Sequence, residues 1–168
     1  VSEWAKVDVA THSFGQGVAV TPLQMVRAVA SIANGGKLPT LRVVDDGKPY
    51  ELKRVVSEKS AAQVQDMLYG VVEDEHGTGN KAMIPGVRIG GKTGTAQKPR
   101  ADGKGYKPGA YMASFVGFAD ATALGIQKKI VLAVIVDEAH TNSIYGGTIS
   151  APIFKRIMQR TLHTLSTQ

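Results

Sequence analysis

Val87-Arg88-Ile89-Gly90-Gly91-Lys92-Thr93-Gly94-Thr95-Ala96-Gln97-Lys98 is the stretch whose conformation decides how this chain is read. Within it, Lys92 to Thr95 set a cation, two hydroxyls and a residue without a side chain in consecutive positions. In an extended strand they form a surface that can hold a carboxylate and let a substrate backbone come close. In a loop that opens a helix, the same residues are the end of a phosphate cradle. Gly86 and Gly91-Lys92-Thr93 fit G-x-x-x-x-G-K-[ST] in full.

A second feature favours the phosphate loop. Ile130 to Val136 is an apolar run ending in Asp137 and Glu138, the form of a magnesium-binding strand in such ATPases. The surroundings argue against it. A phosphate loop follows a strand and opens a helix whose first N–H groups bind the phosphates. Lys81 to Pro85 is a weak strand broken by proline. After Thr93 come Gly94, Pro99, Gly103, Gly105, Pro108 and Gly109, a density of breakers that no helix survives. The order of elements also lacks the strand–helix alternation of a parallel nucleotide-binding sheet. We therefore read Val87 to Lys98 as a strand, Pro99 to Gly109 as a turn region, and Tyr111 to Ala119 as a second strand. The β-branched run Ile130 to Val136 reads as a third, central strand. Short connections favour antiparallel pairing.

Helices flank this meander. Thr21-Pro22-Leu23-Gln24 is a helix start: Thr21 caps, Pro22 suits the first position and Gln24 closes a capping box. Leu23, Val26, Ala30 and Ala33 keep helical spacing, and Asn34-Gly35-Gly36 ends the helix. A second helix runs from a Ser57 cap, with Ala61, Val64, Met67, Leu68 and Val71 as its stripe and Glu73-Asp74-Glu75-His76 at its end. The last starts at Ser150 with Pro152 in its first turn. Phe154, Ile157, Met158, Leu162 and Leu165 face one way, and Lys155, Arg156, Gln159 and Arg160 face away. The fold class is α+β, an antiparallel sheet packed by helices.

Composition narrows the function. The 168 residues suffice for one domain and contain no cysteine, which removes disulfides, thiolate zinc sites and thiol catalysis. No apolar run approaches the roughly 20 residues needed to cross a bilayer. Net charge is +6, with Lys and Arg scattered and aromatics few, a poor profile for nucleic acid. The opening Val1-Ser2-Glu3-Trp4 has no signal character and reads as the middle of a longer protein, with any anchor upstream.

With a strand assigned, Lys92-Thr93-Gly94 resembles the third motif of the penicillin-recognising serine enzymes. The longer pattern is specific. Phe14-Gly15-Gln16-Gly17, Thr21 to Gln24, Ala33 to Gly36, Gly77-Thr78-Gly79, Gly91 to Gln97, Ala113 to Ala119 and Tyr145-Gly146-Gly147 occur in the order found in class B penicillin-binding proteins. The resemblance covers nearly the whole chain. It implies the C-terminal portion, residues 1–168, of one transpeptidase domain with part of the penicillin-binding-protein and serine β-lactamase-like fold. The details at Ala113 to Ala119 and Tyr145 to Phe154 are most similar to the division-specific member that builds septal peptidoglycan.

The chain departs from that family in one respect. No serine has Lys three residues later, so S-x-x-K is absent, as is S-x-N. The resemblance places both upstream, so we expect a fragment without a nucleophile, inactive alone, whose first partner is the missing N-terminal part of the same polypeptide. In the family, the serine attacks the D-Ala–D-Ala carbonyl of a stem peptide, and a neighbouring stem's amine takes the acyl group. β-Lactams mimic the dipeptide and stay attached. By resemblance, Lys92 supplies positive charge, and the Thr93 and Thr95 hydroxyls hold the substrate carboxylate. The Thr95 backbone N–H is half of the oxyanion hole, and Gly94 leaves room for the substrate. Tyr145, Gly146 and Gly147 form a loop beside the cleft. The resemblance further implies no cofactor or metal, a place outside the bacterial inner membrane with an upstream tether, and cell-division proteins as partners.

From the residues themselves, an edge strand offers unpaired N–H and C=O groups to an extended peptide. Strict alternation puts Lys92 on the opposite face from Thr93 and Thr95, a tension that a twisted strand and a long lysine stem can relieve. Ser13, beside His12, reads as a loop or capping residue. Glu73, Asp74, Glu75 and His76 cannot converge on a metal from consecutive helical positions. Asp137, Glu138 and His140 read as turn or salt-bridge residues. A non-catalytic peptide-binding module of the same fold is the alternative of a different class.

Overall fold

The computed structural model describes residues 6–13, 15–44, 47 and 51–167. Val1 to Ala5, Phe14 and the final Gln168 lie outside the described residues, as do the expectations that rest on them.

Three antiparallel strands form the sheet. They are β3 (Arg88–Pro99), β4 (Tyr106–Asp120) and β5 (Lys129–Asp137), in the order β3-β4-β5. The expected third strand is thus present but not central: β4 is in the middle, and β5 is paired on one side only among the described residues. Its apolar run packs against α4 and α2, whose ranges follow. The expected turn is shorter than Pro99 to Gly109. Pairing resumes at Pro99↔Tyr106 after a register shift beyond Gln97, so Pro108 and Gly109 lie inside β4. Gly103 and Gly105 carry the positive φ that reverses the chain.

The helices are α1 (Lys6–His12), α2 (Pro22–Ala33), α3 (Glu58–Glu73) and α4 (Gly146–Ser166). The α2 start is the expected capping box: the Gln24 N–H donates to Thr21 Oγ1, and the Thr21 N–H donates to Gln24 Oε1. Ser57 caps α3 by accepting from the Ser60 N–H. Two features had no sequence signal: α1, and the two-stranded ladder of β1 (Lys37–Pro39) with β2 (Leu52–Arg54). Lys81 to Pro85 is not a strand. A 3-10 turn at Asn80–Ala82 and an isolated Ile84↔Val87 bridge occupy that stretch.

Two clusters sit on opposite faces of the sheet, because Phe115 and Phe118 are an odd number of residues apart in β4. Phe115 packs with Phe154, Met158 and Leu162 of α4 and Val72 of α3. Its ring meets Phe154 edge-on at 4.8 Å. Phe118 packs with Tyr69 of α3 and Ala33 of α2, ring to ring at 5.3 Å. Burying each phenylalanine contributes about 1.5–3 kcal/mol. Gly90 and Gly91 make this possible. A Cβ at Gly90 would fall 2.6 Å from the Phe118 ring, and one at Gly91 2.5 Å from the Phe115 ring, so both rings lie across β3.

Three apolar stripes differ from their expected faces. In α3 the buried residues are Ala61, Tyr69 and Val72, while Met67 is exposed. In α4, Ile157 and Leu165 are exposed and the inward face is Ala151, Phe154, Met158 and Leu162. In α2, Leu23 is exposed as well. The last helix also begins a turn earlier than Ser150. Tyr145 is its N-cap, so Gly146 and Gly147 are its first helical residues and not a loop, and Pro152 lies inside the helix. No helix among the described residues is long and apolar enough to cross a membrane.

Candidate functional site on the edge strand

The stretch from Gly94 to Pro99 is strand and not helix, which removes the phosphate-loop reading. Among the described residues β3 pairs only with β4, so its other edge carries no strand.

The register assigns the faces. Lys92 pairs with Val116, Thr93 with Phe115, Gly94 with Ser114 and Thr95 with Ala113. Thr93 and Thr95 therefore share the α4 face, and Lys92 and Gly94 share the opposite one. The lysine stem resolves the conflict in alternation. Lys92 Nζ curls back to donate to Thr93 O at 3.2 Å and lies 3.4 Å from Thr93 Oγ1. Cation and hydroxyl thus meet although their Cβ atoms point apart.

Two glycine motifs close on the strand from the α4 side. Gly77-Thr78-Gly79 follows α3, and Thr78 Oγ1 lies 3.0 Å from Thr93 Oγ1. The start of α4 presses on β3 and β4, where a Cβ at Gly146 would fall 2.1 Å from Ser114 O and 2.5 Å from Gly94 O. The Gly146 N–H donates to Thr95 Oγ1 at 3.3 Å. A Cβ at Gly147 would fall 2.2 Å from Thr78 O. Both α4 glycines are therefore required for close approach. Gly94 is under a milder constraint, since its Cβ would meet only the Ser114 hydroxyl, at 2.4 Å.

The opposite face opens into a groove of roughly 560 Å³ between the sheet and the segment Gly15–Pro22. Val18, Val20, Met25, Met112 and Ile135 line it and remain exposed. Lys92 and Gly94 stand on the sheet face that forms its floor.

The far end of β3 is tied by charge. Lys98 Nζ lies 2.8 Å from Asp137 Oδ1 and 2.7 Å from Glu138 Oε1, and Lys107 adds a 3.1 Å contact to Glu138. Hydrogen bonds to Asp137 and Glu138 raise the Lys98 pKa, and those from Lys98 and Lys107 hold the Glu138 carboxyl below the usual glutamate value. Asp137 and Glu138 are thus salt-bridge residues, as their position suggested. Glu138 holds φ at 44°, a conformation uncommon outside glycine. Ser13 Oγ donates to Ala10 O at 2.6 Å, a local bond at the end of α1. Glu73 pairs with Arg88, Asp74 accepts from the His76 N–H, and no metal cluster occurs among the described residues.

The penicillin binding protein transpeptidase domain family matches residues 1–159. The chain belongs to that family. It is of the class B type and has the mixed helix and antiparallel-sheet fold of these domains. It is 40% identical to stage V sporulation protein D of Bacillus subtilis over 171 residues, covering 95% of this chain and 25% of that protein. The peptidoglycan D,D-transpeptidase FtsI of Escherichia coli is 34% identical over 163 residues, covering 97% and 26%. Among solved structures, the apo transpeptidase domain of Burkholderia pseudomallei penicillin-binding protein 3 superposes with a TM-score of 0.81 at 40% identity, covering 98% of this chain and 48% of that one. The chain thus spans about a quarter of these curated relatives and about half of that solved domain.

Proposed function

We propose that this chain is the substrate-binding portion of a peptidoglycan D,D-transpeptidase acting in septal cell-wall synthesis, and that the polypeptide it belongs to is acylated by β-lactams. The observation that carries the reading is the edge strand β3, on which Lys92 Nζ reaches to 3.4 Å from Thr93 Oγ1 and Thr95 shares the Thr93 face, beside an edge that no strand pairs among the described residues. A stem peptide ending in D-Ala–D-Ala is an extended guest with a terminal carboxylate. It fits an open strand edge for its backbone and a cation with two hydroxyls for its charge.

Each residue has a role in this reading. Lys92 supplies the positive field that holds the substrate carboxylate and favours loss of the nucleophile's proton. Thr93 and Thr95 hydrogen-bond the carboxylate. The Thr95 N–H stabilises the oxyanion of the tetrahedral intermediate, a contribution of about 3 kcal/mol per donor. Gly146 and Gly147 act by letting α4 close on β3. In this reading the nucleophilic serine and its lysine belong to the preceding part of the same polypeptide, and an enzyme whose substrate is peptidoglycan works outside the inner membrane, held by an upstream tether. Division proteins are its assembly partners.

The test is covalent labelling with a fluorescent penicillin. A polypeptide that continues this chain upstream through the S-x-x-K serine is expected to label, and this chain alone is not. Labelling of the chain alone, or none of the longer polypeptide, refutes the proposal.

A further inference from the structure

We propose that Thr78 is a positioning residue that makes the Thr93 hydroxyl a hydrogen-bond donor toward an anionic substrate group. The inference deepens the proposed function and rests on it.

A threonine hydroxyl has one hydrogen and two lone pairs. Lys92 Nζ has only hydrogens to offer, so its 3.4 Å approach to Thr93 Oγ1 uses a lone pair of that oxygen. The Thr78–Thr93 contact of 3.0 Å can run in either direction. If Thr93 donates to Thr78, its one proton is spent inward and a substrate carboxylate faces a lone pair. If Thr78 donates, both lone pairs of Thr93 are filled and its proton is left for the ligand. A carboxylate is acceptor-only and selects the second arrangement. Thr95 is supplied from behind in the same way, since Gly146 N–H donates to its oxygen at 3.3 Å and leaves its proton free.

Thr78 is held for this task. Gly77 N–H donates to Asp74 O and Gly79 N–H to Val71 O, both at 2.9 Å. A Cβ at Gly77 would fall 2.3 Å from Val71 O, and one at Gly79 would fall 3.1 Å from the Phe115 ring. On its far side, the Thr78 carbonyl abuts Gly147. The loop backbone is wedged between the end of α3 and the start of α4, which keeps Thr78 within reach of Thr93. The site thereby prefers an acceptor-only anion to an amide, which would present a donor as well.

The experiment uses the polypeptide that includes the upstream serine. Acylation rates are measured with a penicillin and with its carboxylate methyl ester, for wild type, Thr78→Val and Thr78→Ser. Thr78→Val is expected to slow acylation by the acid about tenfold, the scale of one hydrogen bond, and to slow the ester distinctly less, because its neutral carbonyl accepts a bond about half as strong. Thr78→Ser keeps the hydroxyl and is expected to restore the acid rate. Equal losses for acid and ester, an unchanged acid rate in Thr78→Val, or no recovery in Thr78→Ser overturns the assignment. If Thr78→Val does not fold, Thr78→Ala carries the same acid-to-ester comparison. Failure of the wild type to label at all overturns instead the transpeptidase reading beneath it.

Discussion

Replacing Gly146 by alanine sets helix propensity against tertiary packing. Alanine is favoured over glycine by about 1 kcal/mol inside a helix, so local reasoning predicts that Gly146→Ala strengthens α4. The structure predicts the reverse. The new Cβ would stand 2.1 Å from Ser114 O and 2.5 Å from Gly94 O, both backbone atoms of the sheet. Carbon–oxygen contacts of this kind settle near 3.3 Å, so the start of α4 must retreat by about 1 Å. Overpacking of this sort costs about 1–3 kcal/mol. The retreat also stretches the 3.3 Å Gly146 N–H bond to Thr95, worth about 1 kcal/mol. The balance is a net loss of roughly 2 kcal/mol, or about 4–8 °C in the unfolding midpoint of a chain this size. Gly70→Ala is the control. It lies in α3 with open space around its Cβ position and is expected to stabilise by about 0.4–1 kcal/mol. Thermal unfolding of the two variants beside wild type reads the difference. In the serine-containing polypeptide, withdrawing the head of α4 by that distance takes its support from Thr95 and is expected to slow acylation, by up to about 100-fold. A Gly146→Ala protein as stable as wild type refutes the argument that α4 is packed to contact against β3 and β4.

Lys92→Ala in the serine-containing polypeptide is expected to lower the acylation rate about 30-fold, the equivalent of about 2 kcal/mol for one lost charged contact. A rate within about twofold of wild type removes Lys92 from the mechanism. The charge clamp on β3 predicts a pH dependence. Glu138 is held below its usual pKa by Lys98 and Lys107, so its stabilising contribution is present above the usual glutamate value and is lost as pH falls through the depressed one. Lys98 is held above its usual value by Asp137 and Glu138, so its contribution persists through neutral pH and is lost only as pH rises through the raised value. The difference in unfolding midpoint between wild type and Glu138→Gln is therefore expected at pH 7 and absent in strong acid. A difference unchanged in acid shows that the clamp is not ionic.

Much of the fold was legible because its signals are local. A capping box is a contact between residues three apart, so Thr21 to Gln24 announces α2 whatever surrounds it. The breakers after Thr93 excluded a helix from composition alone. The errors share a different origin. Met67 keeps helical spacing with Ala61 and Val64, but the α3 face was chosen by where Phe118 and Phe115 put Tyr69 and Val72. Ile130 to Val136 reads as central because its residues are apolar, and that run packs against α4 and α2 while β5 pairs only with β4 among the described residues. Gly146 and Gly147, placed in a loop by resemblance, lie instead in the first turn of α4, where the close approach to the sheet and to Thr78 leaves no room for a Cβ.

For the site, the residue types were in the sequence and their meeting was not. A cation, two hydroxyls and a glycine in an extended stretch are an order along the chain, and residue spacing is enough to propose a carboxylate grip from them. That Lys92 folds back onto Thr93, that Thr78 reaches Thr93 across fifteen positions, and that the head of α4 supports Thr95 across fifty-one were settled by strand register and helix packing. Those contacts depend on which faces are buried together, a property of the assembled core that no local segment carries.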